Sequence, residues 1–166
     1  MAIILEGSDC TGKTTFAQKL SEKLGFEVVK GSSFEIAELG ADGMFEHMMS
    51  LLDRDDIIID RFFYSNLVYG RLFNYPMMNP EQYDQLVDKL EGNGLLIYLH
   101  APEGIIRYRM KKRGDDMIKA DDISNILASY KEELYGDFRP RLMMAFDTTD
   151  TDFEPETDLI KYIFDK

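Results

Sequence analysis

The sequence predicts an α/β fold: a three-layer α/β/α arrangement in which a five-stranded parallel sheet is covered by helices on both faces. Three observations predict it. Short apolar runs such as Ala2 to Leu5, Ile57 to Ile59 and Leu95 to Leu99 have strand length without alternation, as strands buried on both faces do. Helical patterns fall between these runs, as crossover connections require. The chemically loaded turns, Glu6 to Thr14 and Asp60-Arg61, follow the carboxyl ends of strands, where the ligand crevice of a parallel sheet lies.

The first strand is Ala2 to Leu5. Thr15 to Leu24 follows as a helix, with Phe16, Ala17, Leu20 and Leu24 on one face and Gly25 as its stop. Phe26 to Val29 reads as the second strand, and Phe34 to Leu52 as one or two helices broken near Gly40 and Gly43. Asp56 to Ile59 is the third strand and Leu95 to Leu99 the fourth. Helices are expected over Tyr64 to Phe73, Glu81 to Leu90, Glu103 to Lys112 and Asp121 to Tyr135, with Asn74 to Pro80 as a loop. Leu142 to Phe146 supplies the fifth strand and Glu156 to Phe164 a closing helix.

At 166 residues and 45% hydrophobic content, the chain fits one domain with one continuous core, spanning 1–166. A formal net charge of −12 repels phosphodiester backbones at long range, so a nucleic-acid partner is not expected. Small nucleotides chelated to a cation stay compatible. No apolar run approaches a membrane span or a signal peptide, and a cytoplasmic location without membrane association is the expectation. Cys10, the single cysteine, has no internal disulfide partner; it reads as a small loop filler, or as a thiol activated by a helix N-terminus.

Gly7-Ser8-Asp9-Cys10-Thr11-Gly12-Lys13-Thr14 satisfies the P-loop pattern, Gly, four residues, then Gly-Lys-Thr, between a strand and a helix. The glycines let backbone N–H groups converge on phosphate oxygens, and the helix beginning at Thr14-Thr15 adds the positive end of its dipole. Lys13 reaches the β and γ phosphates of ATP, and the Thr14 hydroxyl is a ligand for Mg²⁺. Asp60 and Arg61 stand together where a buried strand emerges. Asp60 is placed to act at Mg²⁺ or to accept a bond from Thr14, and the Arg61 fork suits an anionic acceptor. Arg107, Arg109, Lys111, Lys112 and Arg113 form a basic run ending at Gly114. It reads as a solvated helix face, or as the root of a short lid, about 107–120, whose arginines neutralise charge on the transferred group.

Together, Glu6-Gly7-Ser8-Asp9 leading into the loop and Asp60-Arg61-Phe62-Phe63-Tyr64-Ser65-Asn66-Leu67-Val68-Tyr69 resemble the thymidylate kinase family of P-loop nucleoside monophosphate kinases. Leu99-His100-Ala101-Pro102-Glu103 with Arg107, Arg109 and Arg113-Gly114-Asp115 is similar to that family's strand-to-lid passage. The resemblance implies transfer of the γ-phosphoryl of ATP to a deoxynucleoside monophosphate with a pyrimidine base, dTMP, dUMP or a 5-modified dUMP. It implies that Asp9 approaches the sugar 3′-hydroxyl, Arg61 holds the acceptor phosphate, Asn66 lies by the base, and Tyr69 stacks under the sugar. Arg109 and Arg113 match the family's lid arginines, and dimerisation through helices beside the acceptor site is implied as well. The sequence departs from the family in the helix before the third strand, which carries no arginine until Arg54, so that Phe45 is left as the candidate to stack on the base. A second lid arginine is also missing, Met117-Ile118-Lys119 standing in its place.

Two rival functions are compatible with the same loop. A deoxynucleoside kinase needs a carboxylate to take a proton from a 5′-hydroxyl, with Asp60 or Glu35 as the base. A non-catalytic P-loop module would carry a second acidic residue beside Asp60, where Arg61 stands instead.

Overall fold

The computed structural model describes residues 1–114, 118–119 and 121–165. Its five strands are β1 (Ala2–Glu6), β2 (Glu27–Lys30), β3 (Ile57–Asp60), β4 (Gly94–His100) and β5 (Met143–Asp147). All neighbours are parallel, in the order β2-β3-β1-β4-β5. The helices are α1 (Lys13–Leu24), α2 (Phe34–Ala37), α3 (Gly40–Leu51), α4 (Phe63–Phe73), α5 (Pro80–Asn93), α6 (Glu103–Arg113), α7 (Asp122–Tyr135) and α8 (Glu154–Phe164).

Side-chain alternation along the strands builds two cores. Ala2, Ile4, Ile57, Ile59, Leu96 and Tyr98 pack with α3, α4, α5 and α7 on one face. Ile3, Leu5, Ile58, Leu95, Ile97 and Leu99 pack with α1 and α8 on the other. Both sets are buried, which is why these runs carry no polar alternation. At the sheet edge, β2 leaves most of its residues exposed.

The connection from β1 reaches β2 on one side of β1, while β3 connects to β4 on the other. The chain therefore reverses direction between β1 and β3, and the crevice opens beyond their carboxyl ends. Backbone pairing keeps the two turns together, for the Arg61 N–H donates to the Leu5 carbonyl at 3.0 Å. Among the described residues no helix is long and apolar enough to cross a membrane.

Candidate active site

The turn from β1 into α1 carries the P-loop sequence, residues 7–14. Gly7 lies at φ 145°, and a Cβ there would sit 2.2 Å from the Leu99 carbonyl oxygen. Gly12, at φ 84°, precedes α1 and offers no side-chain cap, so the first N–H groups of the helix face the loop without a side-chain acceptor. Thr11 donates its hydroxyl to the Ser8 carbonyl at 2.9 Å and fixes the loop's curvature. Thr14 and Thr15 are exposed at its mouth, whereas Ser8 is buried and Cys10 half-buried.

Lys13 is enclosed, and its Nζ donates to the carbonyls of Gly7 at 2.7 Å and Ser8 at 2.6 Å. Burial, with the Arg61 guanidinium adding to it, pushes its pKa down from 10.5 to about 7. A lysine depressed in this way lowers stability below that value, where the amine must be buried charged. The penalty is relieved as pH rises toward the unfolded value of 10.5. A triphosphate in the loop would favour the charged amine again. ATP binding at about pH 8.5, where a group of pKa about 7 is almost wholly neutral, is therefore expected to take up close to one proton, read by calorimetry in buffers of different ionisation enthalpy. The uptake is expected to disappear in Lys13→Ala.

Opposite the loop, Arg61 has the left-handed backbone φ of 63°. Its guanidinium donates to Asp9 at 2.7 Å and to the hydroxyls of Ser65 and Tyr130 at 3.4 Å each, and lies 5.2 Å from the Tyr69 ring centre. Tyr69 donates its phenol to the other Asp9 oxygen at 2.8 Å. Burial alone would raise the Asp9 pKa, but Arg61, Lys13 and the Tyr69 bond bring it below the usual 3.8. Burial likewise opposes charge on Arg61, yet Tyr130, Tyr69 and Asp9 hold its pKa above the ordinary value.

The fully buried Glu6 explains why this cluster stands where it does. Phe62 caps α4 with no side-chain acceptor of its own. The Glu6 carboxylate takes that place, accepting the Phe62 N–H at 2.7 Å, the Ser65 N–H at 3.1 Å and the Ser65 hydroxyl at 2.6 Å. Ser65 in turn meets Tyr130 of α7 at 2.9 Å. Burial raises the Glu6 pKa despite these bonds. Glu6→Ala leaves two backbone donors buried without an acceptor, and is expected to cost about 3 kcal/mol in a denaturant melt. Glu6→Gln, which keeps the carbonyl acceptor, should cost clearly less.

Between the two turns lies a cavity of about 440 Å³. Among the described residues its charged lining is Asp9, Lys30, Arg61 and Arg113. Its aromatic lining is Phe34, Tyr69, Phe73 and Tyr75. Phe34, Phe73, Tyr75 and Lys30 are absent from the sequence-based candidates. Their signal was position, since Lys30 and Phe34 lie in and just beyond the end of β2 on the crevice side of the sheet.

Several expectations need correction. Phe45 packs against the helical core and does not line the cavity; α3 presents it to the same cluster as Met44 and Met48. Asn66 lines the cavity, but its amide is spent: Oδ1 accepts the Tyr83 phenol at 2.6 Å, and Nδ2 donates to the Pro76 carbonyl at 2.9 Å. Asp60 is ion-paired with Lys30 and has no hydrogen bond to Thr14. Arg109 donates to the carbonyls of Cys10 at 3.2 Å and of Thr148 and Thr149, bracing the phosphate loop against the turn after β5. A guanidinium held by three carbonyls is a brace rather than a swinging lid arginine. Arg113 does reach the cavity, and its charge acts on Asp9. Arg107 pairs with Glu103 one turn back at 2.6 Å, as on a solvated helix face. The rest of the expected lid, 115–117 and 120, lies outside the described residues.

The chain is 46% identical over 131 residues to the SPbeta prophage-derived uncharacterized protein YorR of Bacillus subtilis (strain 168), covering 78% of this chain and 79% of YorR. The crystal structure of YorR in complex with phosphorylated GDP superimposes with a TM-score of 0.90 over 99% of this chain and 96% of that one, at 38% identity. Deoxyadenosine kinase from M. mycoides with bound dCTP matches over 99% of both chains with a TM-score of 0.61. Shikimate kinase from Acinetobacter baumannii matches over 98% of this chain and 92% of that one with a TM-score of 0.60. At 21% and 16% identity these two show the fold alone. No family model matches the chain. The phosphate loop, the strand order and these likenesses agree: the chain belongs to the family of Bacillus subtilis YorR and has the nucleotide-binding fold of the P-loop kinases.

Proposed function

We propose that the protein transfers the γ-phosphoryl group of ATP to a deoxynucleoside monophosphate, with dTMP, dUMP or a 5-modified dUMP among the acceptors the thymidylate kinase resemblance implies. The observation that carries this reading is the Arg61 guanidinium lining a cavity beside the phosphate loop, with Arg113 in the same lining; Lys30 lines it as well but is paired with Asp60. Such a cavity favours an anionic acceptor. A monophosphate needs no general base, only relief of repulsion between two phosphates held in line. Arg61 holds the acceptor phosphate, Lys13 the donor's β and γ phosphates, and Arg113 offsets charge developing between them.

A nucleoside acceptor would call instead for a carboxylate ready to take a proton. Of the two candidates, Glu35 is exposed on α2 and outside the cavity lining, and Asp60 is engaged by Lys30. Asp9 itself is held by Arg61 and Tyr69, which lower its basicity and suit it to accept from a sugar hydroxyl.

Magnesium fits as a companion of the triphosphate and not as a resident ion. Among the described residues no cluster of three or more His, Cys, Asp or Glu side chains forms a cage. The exposed Thr14 hydroxyl and the nucleotide's own oxygens would hold it, with Asp60, now paired with Lys30, the other candidate. When bound, the ion neutralises phosphate charge. YorR is seen in complex with phosphorylated GDP, a guanine nucleotide, so guanine acceptors belong in the test panel.

A coupled ADP-release assay with ATP and Mg²⁺ tests the reading against deoxynucleosides and their monophosphates. Signal with monophosphates is expected. Signal with nucleosides alone would replace the reading by a nucleoside kinase.

A further inference from the structure

The lining of the acceptor cavity is uneven in kind. Its sugar and phosphate end is rich in fixed polar groups: Arg61, Asp9 and Tyr69 are bonded to one another, and Arg113 adds a further charge. Its far end is an aromatic wall. The Tyr69 and Phe73 rings stack with centres 5.9 Å apart, Phe73 and Tyr75 are 6.2 Å apart, and Phe34 meets Tyr75 edge-on at 5.3 Å and 86°. Asn66, the one carboxamide in the lining, has both polar atoms in bonds to Tyr83 and Pro76 and none left for a base edge. The Ser33 hydroxyl, further along, accepts the Ile36 N–H to cap α2.

A phenylalanine 58% exposed at the mouth of an anion-binding cavity leaves apolar area in water that a flat ligand would cover. Stacking on aromatic rings tolerates any base, because every base has a π-face. Strong base selection would need hydrogen-bonding groups that the wrong base leaves unpaired. Beside the rings the lining offers the Ser32, Ser33 and Tyr75 hydroxyls, each able to donate or to accept and so to meet either kind of base edge. We infer that Phe34 and Tyr75 stack the acceptor's base, and that the site selects its acceptor by phosphate and deoxyribose while taking purine and pyrimidine bases alike. This rests on the monophosphate kinase reading and extends it from pyrimidines to both base classes.

The chain contains no tryptophan, so Phe34→Trp creates a single fluorescent reporter at the cavity mouth. Titrating that variant with dTMP, dCMP, dAMP and dGMP is expected to quench it with all four, with dissociation constants within about 200-fold of one another. In the steady-state assay, Phe34→Ala and Tyr75→Ala are expected to raise the KM of each acceptor by about 5- to 150-fold, the range of a lost stacking contact, and to leave the KM for ATP unchanged. Because Phe34 is exposed, its replacement spares the core. Preference for one base by about 10⁴-fold, as a hydrogen-bonded site gives, would overturn the inference. Unchanged acceptor KM in both alanine variants would overturn it too. Quenching by all four nucleotides without phosphoryl transfer would refute the kinase reading and leave the stacking intact. Transfer indifferent to Phe34 and Tyr75 would do the reverse.

Discussion

Replacing Arg61 by alanine is expected to lower kcat/KM for the acceptor about 10³-fold, by raising KM and lowering kcat together, while the dissociation constant for ATP changes less than about twofold. The guanidinium has two duties. It is a cation lining the cavity, and it is the counter-ion of Asp9, 2.7 Å away. Without it the Asp9 carboxylate would face the incoming phosphate as an unbalanced charge, so attraction gives way to repulsion. The backbone contributes little to the difference, because alanine at φ 63° bears a strain similar to that already borne by arginine. Arg61→Lys keeps the charge but loses the fork that reaches Asp9, Ser65 and Tyr130 together, and should fall between wild type and alanine. Steady-state kinetics with both substrates varied checks this. Parallel loss of ATP binding would assign Arg61 a structural role.

Lys13→Ala is expected to reduce transfer by about 10³-fold or more and to leave a folded protein. The amine is buried against the carbonyls of Gly7 and Ser8, with a pKa depressed to about 7, so the fold gains little from its charge. Its removal takes away the cation that a triphosphate would meet. The midpoint of thermal unfolding should move only slightly at neutral pH, while ATP ceases to stabilise the protein against heat. Full activity in this variant would end the phosphate-loop reading.

The fold was legible because burial leaves a plain trace. Each apolar run became a strand within a residue or two of its expected ends. The order β2-β3-β1-β4-β5 was not legible, because the crossover rule fixes the hand of a connection and not which strands become neighbours. The phosphate loop was equally legible, its function lying in backbone geometry that only glycine at positions 7 and 12 allows. The acceptor side was less so. Arg61, Asp9 and Tyr69 bond to one another, which their separate motifs do not reveal, nor do they reveal that Pro76 and Tyr83 occupy the Asn66 amide from ten and seventeen residues away. Arg109 looked like a lid residue by its place in a basic run; its three carbonyl partners lie about forty or a hundred residues off in sequence. Phe45 lies on α3 and packs against the core, whereas Phe34 opens α2, a helix too short for a periodic signal to tell core from cavity. Glu6 stood in plain view next to the loop, yet its work as the cap of α4 depends on a contact fifty-six residues on.

In the proposed reaction the donor phosphoryl ends on an acceptor phosphate. Incubating the protein with γ-labelled ATP, Mg²⁺ and a deoxynucleoside monophosphate, and then separating the nucleotides, tests it most directly. Label is expected in the deoxynucleoside diphosphate, dependent on Lys13 and Arg61. Label released only as inorganic phosphate, at a rate indifferent to added monophosphate, would contradict it.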